Sequence, residues 1–455
     1  MAKLPGKGVI YAPWERTFDR FLSPFEEFIH RQTTSGLLLM GTALLALALA
    51  NSALAPAYAH LTHLPIGITI GDWSLRMSLH HWVNDGLMAL FFFVVGMELK
   101  REILVGELAD LRQAALPICA AIGGMVVPAL IYFAFNPAGA AARGWGIPMA
   151  TDIAFAVGVL VLLASRVPKA LITFLVALAI VDDLGAVLVI AIFYTKALAL
   201  HWLAAATALV AVLALLNLAG IRKVVPYFLI AVLLWYALLQ SGVHATLAGV
   251  LGAFSVPARP KYDPGLFSDL IKKMMARFDA SNTPGTNIMT NDELRTVVQA
   301  LTTSALKVQT PLQRLEHLWH MPVAFLVIPI FALINAGIPL QLGSLVDSAG
   351  HPVALGVTAG LVLGKFIGIT GASALALWLG FAQLPTGTRF AHISAVSLLA
   401  GIGFTMSIFI AELGFADHPA DLLMAKTGVL AASLLSGTLG FAWLWWLGRP
   451  GQTPA

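Results

Sequence analysis

Three aspartates and one lysine interrupt apolar stretches that are otherwise long enough to cross a lipid bilayer. Asp182 and Asp183 lie near the centre of one stretch, and Asp152 lies in the middle of a second. Lys365 lies at the centre of a third. A side chain that is ionised at mid-membrane costs at least about 2.5–3.5 kcal/mol, so each of these residues is a candidate for function. One Asp–Lys pair could simply fix helix packing, but three carboxylates, an amine and the neighbouring Thr151 hydroxyl favour a transport site.

The two adjacent aspartates suit the binding of a small cation. Neighbouring residues on a helix point about 100° apart, so Asp182 and Asp183 cannot face one partner equally. One of them can pair with Lys365 while the other faces a cavity and receives a cation. Carboxylates, the Thr151 hydroxyl and backbone carbonyls are hard oxygen ligands, which suit alkali or alkaline-earth cations rather than zinc or copper. The sequence has no His or Cys cluster with metal-site spacing.

The composition requires membrane helices to position these groups. Of 455 residues, 59% are apolar and 11% are charged, whereas soluble domains average roughly 45–50% and about 25%. Such a chain cannot cover itself with a water-compatible surface, so a soluble enzyme is excluded and an all-α polytopic membrane protein is expected. The net charge of +4 does not indicate nucleic-acid binding, because no basic stretch is interleaved with stacking aromatic residues.

Apolar stretches near the roughly 20 residues that span a bilayer recur along the chain. They predict about twelve transmembrane helices, at 34–55, 82–99, 114–135, 143–165, 169–194, 201–219, 224–240, 242–256, 319–337, 353–377, 391–414 and 422–447. Lys and Arg number 22 in the loops of one side and 4 in those of the other, with Lys365 inside a span. By the positive-inside rule both termini are cytoplasmic.

These spans and charges predict the following order of segments. A cytoplasmic N-terminal segment at 1–33 precedes eight spans within 34–256. A cytoplasmic loop at 257–318 then separates these from four further spans within 319–447, and a cytoplasmic tail follows at 448–455.

Two of the spans carry residues that favour interrupted helices. Residues 144–152 read Gly-Trp-Gly-Ile-Pro-Met-Ala-Thr-Asp, and residues 401–407 read Gly-Ile-Gly-Phe-Thr-Met-Ser. Glycine and hydroxyl residues within a span favour a broken helix whose free backbone groups line a cavity. Since Asp152 ends the first run, we expect a transport site between two discontinuous helices.

Two loops have structure of their own. In the external segment 56–81, alternating residues on both sides of Gly71-Asp72 predict a β-hairpin at 66–77. An isolated hairpin is marginal in water, so pairing with a second subunit in a homodimer and a free external ornament both remain open. In the cytoplasmic loop, apolar residues alternate with Lys and Arg over 266–278. This pattern suits a helix on the inner membrane surface, although a solvated connector with a short helix is equally compatible.

Several short runs, taken together, carry a more specific signal. They are Ala-Thr-Asp-Ile-Ala-Phe-Ala at 150–156, Ala-Leu-Ala-Ile-Val-Asp-Asp-Leu-Gly at 177–185, Gly-Lys at 364–365, and the segments 84–88, 96–102, 241–246, 315–317 and 401–410. This combination resembles the bacterial NhaA sodium/proton antiporters over nearly the whole chain, from about 34 to 447. The sequence departs from that family at the longer loop 257–318 and at Phe366.

The resemblance implies a fold and a function. It implies inverted repeats with two crossing discontinuous helices. It also implies pH-regulated exchange of Na+ or Li+ for protons by alternating access, in a multi-pass protein of the bacterial inner membrane. Losing more than one proton per cation would make the exchange electrogenic. The ions are substrates of transport, so neither a cofactor nor an enzymatic activity is implied, and membrane lipid is the expected surrounding.

The same resemblance implies a role for each candidate residue. Asp183 and Asp182 would bind the cation and carry the protons, with Lys365 paired to Asp182. Thr151 and Asp152 would stabilise the crossing of the broken helices, where Asp152 would offset the positive helix ends. The residues implied in sensing pH are Glu98, Arg101, Glu102, Glu316 and His317 at the cytoplasmic mouth, and His244 near the opposite face. Each of these six could equally be an ordinary interfacial charge.

Two other classes of protein also place ionisable residues inside a membrane. An intramembrane aspartyl protease has aspartates on two helices, but the Gly-x-Gly-Asp run of such enzymes is missing here and Lys365 would have no role. A retinal protein pairs a mid-membrane lysine with an aspartate, but about twelve spans are far more than those proteins have. Cleavage of a helical peptide would reveal the first class, and a visible chromophore the second.

Overall fold

The computed structural model describes most of the chain, at residues 32–71, 73–195, 198–282, 291–339 and 350–448. Nearly all of the predicted segment 1–33 and of the predicted tail 448–455 lies outside the described residues, as does Asp72 of the predicted turn. The described chain consists of helices, one two-stranded sheet and connecting loops.

The elements follow one another in chain order. The first are α1 (Gln32–Ala50), α2 (Ala55–His63), β1 (Pro65–Ile70), β2 (Trp73–Ser78), the composite helix α3 (Leu79–His81, a π-helical segment Trp82–Leu87 and Met88–Val105), α4 (Leu111–Phe135), a 3-10 helix (Ala141–Met149), α5 (Ile153–Leu162) and α6 (Lys169–Phe193). The middle of the chain contains α7 (Leu200–Leu218), α8 (Val224–Ser241), α9 (Leu247–Ser255), α10 (Pro264–Ser281) and α11 (Asp292–Val308). The last are α12 (Pro311–Pro322, a π-helical segment Val323–Val327 and Ile328–Asn335), α13 (Pro352–Ala359, a π-helical segment Gly360–Gly364 and Lys365–Trp378), α14 (Phe390–Leu399), α15 (Phe404–Gly414) and α16 (Pro419–Leu447).

The helices have the length and composition of a polytopic membrane protein. Among the described residues, 8 helices are long and apolar enough to cross a membrane, or up to 10 if each of two bent helix pairs forms one span. The all-α membrane class is therefore confirmed, whereas the number of about twelve spans stays a prediction. Two predicted spans explain the difference. The span at 82–99 lies on α3, whose second half carries four charged residues, and the span at 242–256 contains only the 9 residues of α9.

The first predicted span, at 34–55, ends too late. Helix α1 ends at Ala50, and the chain then bends by 112° into α2. Pro56 lies in the first turn of α2, where its missing N–H is not needed and its fixed φ favours the start of a new helix.

The boundary between the predicted loop 257–318 and the next span is also wrong. Helix α12 begins at Pro311 and so takes up the last residues of that loop. The start is fixed by Thr310, whose side chain accepts a hydrogen bond from the Gln313 N–H, while the Gln313 side chain accepts one from the Thr310 N–H. This capping box and the proline at the first helical position are strong helix-start signals.

Both predicted helix interruptions are present. The 3-10 helix Ala141–Met149 gives way to three non-helical residues before α5 begins. Helices α14 and α15 are separated by four residues and bent by 50°. The two breaks contact each other, since the Asp152 N–H donates to the Ile402 carbonyl (2.7 Å) and the Ser407 hydroxyl donates to the Ile147 carbonyl (2.8 Å).

The predicted hairpin at 66–77 is confirmed and is one residue longer at each end. Strands β1 and β2 are antiparallel, with Pro65 opposite Ser78 and Ile70 opposite Trp73. The indole N–H of Trp82 donates to the Ile66 carbonyl (2.9 Å), which ties the hairpin to α3.

The loop that is predicted to be cytoplasmic contains a pair of helices. The amphipathic stretch 266–278 lies within α10, as its pattern predicts, and α11 packs against α10. Arg277 of α10 lies 3.7 Å from Glu293 of α11, measured from Nη2 to Oε1. Nothing in the packing of α10 against α11 tests its placement on the membrane surface, which stays a prediction.

The membrane helices form two groups that pack mainly within themselves. We call α3, α7, α8, α9 and α12 the first group, and α4, α5, α6 and α13–α16 with the 3-10 helix the second group. Helix α1 packs against α12 of the first group and α5 of the second. The interrupted helices and all four intramembrane charges belong to the second group.

Candidate functional site

The predicted site residues meet at the centre of the second helix group. Asp182 and Asp183 lie in the middle of α6, Thr151 and Asp152 at the break before α5, and Lys365 at the end of the π-helical segment of α13. All five side chains are at most 2% exposed. The structure therefore brings together residues that are separated by up to about two hundred positions in the chain.

Asp182 is held by two donors. Lys365 Nζ donates to its Oδ2 atom at 2.5 Å, and the Thr151 hydroxyl lies 2.8 Å from the same oxygen. That hydroxyl also lies 2.9 Å from the carbonyl oxygen of Ala400. Because a hydroxyl has a single proton, Thr151 can donate to only one of these two oxygens at a time.

Close packing of α4 against α13 places Lys365 beside Asp182. A Cβ atom added at Gly368 would lie 2.2 Å from the Gly123 carbonyl oxygen, and one added at Gly364 would lie 2.7 Å from Pro128 Cα. Both distances are far below a van der Waals contact, so the two helices can approach this closely only without side chains at these positions. The ammonium group thereby reaches α6 without leaving the buried interior.

Asp183 differs from its neighbour in having no partner for its carboxylate. Neither of its oxygens accepts a hydrogen bond from any residue that the structure describes, and the same holds for Oδ1 of Asp182. Three buried carboxylate oxygens are therefore available to a ligand. A buried charge without a partner is strongly unfavourable, so these oxygens must take either protons or a cation.

Asp152 connects the two broken helices. Its Oδ1 atom accepts a hydrogen bond from the Phe155 N–H (3.0 Å) at the start of α5. Its Oδ2 atom accepts hydrogen bonds from the Thr405 N–H (3.0 Å) and hydroxyl (2.5 Å) at the start of α15. The carboxylate thus lies at two helix N-termini, whose partial positive charges it offsets.

Thr405 is a site residue that sequence reasoning did not single out. Its run, Gly-Phe-Thr at 403–405, indicates a broken helix and belongs to the segment 401–410 that carries the family resemblance, but neither pattern assigns a role to Thr405. A hydroxyl in the first turn of the second half-helix is the signal that could have identified it, because such a residue can bind a carboxylate at the break.

The charged residues of the predicted cytoplasmic mouth lie on α3 and α12. Arg101 contacts Glu102 (Nη2 to Oε1, 2.9 Å) and Glu316 (Nε to Oε1, 3.0 Å). Glu98 contacts His320 instead, at 3.2 Å between Oε1 and Nδ1. His320 was not among the candidates, although its position four residues after Glu316 places it on the same helix face.

Two of the predicted pH-sensing residues lie apart from this cluster. His317 is exposed and has no hydrogen bond or ion pair to the described residues. His244 lies at the other end of α6, where its Nε2 atom is 2.8 Å from the carbonyl oxygen of Tyr194. The structure therefore joins four of the six candidates, Glu98, Arg101, Glu102 and Glu316, at one mouth.

Comparison with known proteins places this chain in a family. The profile of the family described as Na+/H+ antiporter 1 matches residues 26–444. The chain is 56% identical over 435 residues to "Na(+)/H(+) antiporter NhaA 1" of Saccharophagus degradans, covering 96% of this chain and 94% of that protein. It is 50% identical over 436 residues to "Na(+)/H(+) antiporter NhaA" of Sulfurimonas denitrificans, covering 96% and 98%. It is 52% identical over 439 residues to the protein of that name in Syntrophobacter fumaroxidans, covering 95% and 92%.

Proposed function

The chain belongs to the Na+/H+ antiporter 1 family, and from this premise we propose that Asp182 and Asp183 form the site at which it exchanges sodium for protons. One observation carries the proposal. Two adjacent, fully buried carboxylates present three oxygens without a hydrogen-bond partner among the described residues. Oxygens of this kind bind Na+ or Li+ when they are ionised and bind protons when they are not.

Competition between these ligands is sufficient for exchange. A protonated carboxylate cannot coordinate a cation, and a cation displaces the proton from the oxygen that it occupies. If the site opens alternately to the two sides of the membrane while holding either protons or the cation, each cycle exchanges one for the other. Displacement of two protons by one Na+ moves one net charge per cycle, so the exchange is electrogenic and the membrane potential can drive it.

Lys365 and Thr151 position Asp182 during the cycle. Lys365 compensates its charge when the carboxylate is ionised, because Nζ lies 2.5 Å from Oδ2. Thr151 can transfer its hydrogen bond from Asp182 to the Ala400 carbonyl, which frees an oxygen for the arriving cation. Since Ala400 belongs to the break between α14 and α15, this change also couples occupancy of the site to the broken helix.

The interrupted helices and the boundary between the two helix groups are the parts of the protein that rearrange during alternating access. The two half-helices that begin near Asp152 turn their positive ends towards the centre of the membrane. Asp152 offsets that field, and without it a cation would be repelled. The inverted repeats implied by the sequence would place both breaks in equivalent positions.

The residues around this centre complete the proposal. The charges at Glu98, Arg101, Glu102, Glu316 and His320 regulate entry with pH, since they lie at the cytoplasmic mouth in the predicted orientation. The protein is a multi-pass component of the bacterial inner membrane with both termini in the cytoplasm, surrounded by lipid. The hairpin of β1 and β2 pairs with a second copy in a homodimer. No cofactor beyond the transported ions takes part.

A pH-gradient dye assay in everted vesicles tests the site. Addition of sodium or lithium should release luminal protons, whereas potassium and calcium should not. The Asp183→Asn variant should insert normally and give no response, because an amide of the same shape cannot release a proton. The matched control is Asp269→Asn, since the Asp269 side chain on α10 is 72% exposed and far along the chain from the site. Normal exchange by Asp183→Asn would show that the assigned site is wrong.

A further inference from the structure

Two histidines connect the first helix group to the second at the predicted external side. His80, in the first piece of α3, places Nε2 3.4 Å from Oε1 of Glu412 on α15. His244, just before α9, places Nε2 2.8 Å from the carbonyl oxygen of Tyr194 at the end of α6. Each contact joins an element of the first group to an element of the second.

Glu412 is held from both sides of this boundary. Lys426 Nζ on α16 lies 2.5 Å from the same Oε1 atom that faces His80. The side chain of Glu412 is 9% exposed and that of His80 is 24% exposed, so solvent screens this cluster less than a surface ion pair. Glu412 also lies seven residues, or two helical turns, after Thr405 on α15, which places both on one helix face.

The imidazole of His80 has two alternative partners on one nitrogen. Besides Glu412, the amide nitrogen of Asn84 lies 3.4 Å from His80 Nε2. The other end of that amide is fixed, because Asn84 Oδ1 accepts a hydrogen bond from Asn335 (2.8 Å) in the buried interior. A neutral Nε2 can therefore accept a hydrogen bond from Asn84, whereas a protonated Nε2 can only donate, and it donates to Glu412.

We propose that His80 and Glu412 form a proton-dependent latch that closes the external side of the transporter. Histidine changes its charge between about pH 5 and 8. When protonated, His80 donates to Glu412 and holds the two helix groups together. When neutral, it accepts from Asn84 instead and the external side opens more readily. The inference rests on the proposed exchange by alternating access at Asp182 and Asp183.

The cytoplasmic side has a different construction. Its ion pairs, Arg101 with Glu316 and Glu98 with His320, join α3 to α12 within the first group. They do not oppose separation of the two groups. The contacts of His80 and His244 join the two helix groups at the external side, whereas the ion pairs of the cytoplasmic cluster lie within one group. This asymmetry is expected of a state that is closed to the outside.

Other ionisable groups on the elements around His80 must be separated from its effect. Lys426 and Glu412 face it from α16 and α15, and the remaining ones are His81, Asp85, Tyr58, His60, His63 and Arg76. His81 is a matched control, because it lies in the same helical turn, is exposed, and has its Nδ1 atom 2.7 Å from the Ser78 hydroxyl instead of an ion pair with Glu412.

The first test fixes the latch covalently. In a Cys119→Ser background, His80→Cys and Glu412→Cys are joined by a short bis-methanethiosulfonate, which forms a disulfide with each thiol, releases two sulfinates and can be removed by a reductant. Exchange should stop on crosslinking and return on reduction, while binding of radioactive sodium to the purified protein should persist because the cytoplasmic route stays open. A fully crosslinked protein that exchanges at the uncrosslinked rate would overturn the latch. Sodium binding that survives Asp183→Asn would instead overturn the proposed site, so the two failures are distinguishable.

The second test measures the proton dependence in everted vesicles, where the external face is luminal. The exchange rate of the unmodified protein should fall by as much as about fivefold between luminal pH 8 and pH 6, beyond the change in driving force, because a partly exposed ion pair contributes at most a factor of that size. His80→Gln should lose this dependence under identical gradients, and His81→Gln should keep it. Equal profiles for His80→Gln and the unmodified protein would contradict the proposal.

Discussion

The membrane centre and the predicted cytoplasmic mouth both concentrate charged side chains, but the two regions hold these side chains in different ways. In the centre, the charges lie where helices are interrupted, and the side chains are at most 2% exposed. At the mouth, the charges lie on the faces of α3 and α12, and the side chains of Arg101 and His320 are 40% and 54% exposed.

This difference determines how each region responds to the loss of one partner. At the mouth, water can replace a missing donor or acceptor, so exposed ion pairs contribute at most about 1 kcal/mol each. In the centre, no solvent can replace the partner, and removal of one member of a buried pair costs about 3–5 kcal/mol. Variants in the centre should therefore abolish exchange, whereas variants at the mouth should change its pH dependence.

The largest effect is expected for Lys365→Ala. Removal of the ammonium leaves the buried Asp182 carboxylate uncompensated, so exchange should be lost and unfolding should become easier by about 3–5 kcal/mol. Thermal unfolding in detergent measures the stability. The double variant Lys365→Ala with Asp182→Asn should recover stability but not exchange. If Lys365→Ala alone is as stable as the unmodified protein, the ion pair described at 2.5 Å does not exist in the membrane.

A smaller but still large effect is expected for Thr405→Val. This change removes one of the two donors to Asp152 Oδ2 and preserves side-chain shape. Loss of a donor to a buried charged acceptor costs about 1–3 kcal/mol, which should lower the exchange rate roughly tenfold or more. Thr438→Val on α16 is the control, because that hydroxyl is exposed and bonds only to carbonyls of its own helix among the described residues. An equal loss of exchange rate in both variants would mean that the hydrogen bond between Thr405 and Asp152 has no particular role in exchange.

At the mouth, Glu316→Gln and His320→Gln should shift the pH profile of exchange by less than about one unit. The maximal rate should remain within about twofold, because neither side chain contacts the ion. The measurement is the sodium response of everted vesicles at a series of pH values. Loss of exchange at every pH in either variant would contradict the expectation that only residues in the centre are essential for exchange.

The smallest effect on exchange is expected for deletion of residues 67–77 from the hairpin. The hairpin lies on the surface, whereas the carboxylates, Thr151 and Lys365 belong to the interior of one chain. Monomers that still exchange ions are the expected product, as native mass measurement and the vesicle assay can show. An active variant that remains dimeric would remove the hairpin from the interface, and an inactive monomer would show that the site depends on the partner.

The chemistry of the centre could be predicted from the sequence because the membrane makes it conspicuous. A charged residue within a span is costly and is therefore a candidate for function by default. On this ground the sequence alone identifies Asp152, Asp182, Asp183 and Lys365. Their contacts could not be derived in this way. Which aspartate of the adjacent pair faces Lys365 depends on the rotation of α6, and the sequence pattern leaves that rotation undetermined.

Near the membrane surface, the sequence pattern leaves the partners of charged residues undetermined. His320 and His317 differ by less than one helical turn, and only the packing of α12 against α3 decides that His320 meets Glu98. The apolar stretch alone predicts a start at 319, whereas α12 begins at Pro311 because the capping box of Thr310 and Gln313 starts the helix before its apolar part. The hairpin was found because its alternation and its Gly-Asp turn are local signals.

The contact between the two helix breaks has a consequence for how the protein is made. In hydrocarbon, an unsatisfied backbone group costs several kcal/mol. At the break before α5, the Asp152 N–H is satisfied by the Ile402 carbonyl. The side chains of Thr151 and Asp152 likewise bond to groups 249 and 253 residues later in the chain. At ribosomal rates of about 5–20 residues per second, that partner is synthesised roughly 10–50 s after the first break enters the bilayer. During this interval the nascent chain must keep the first break hydrated or protected by the insertion machinery. Chains truncated before residue 400 would retain that exposed defect and should be removed by membrane proteases.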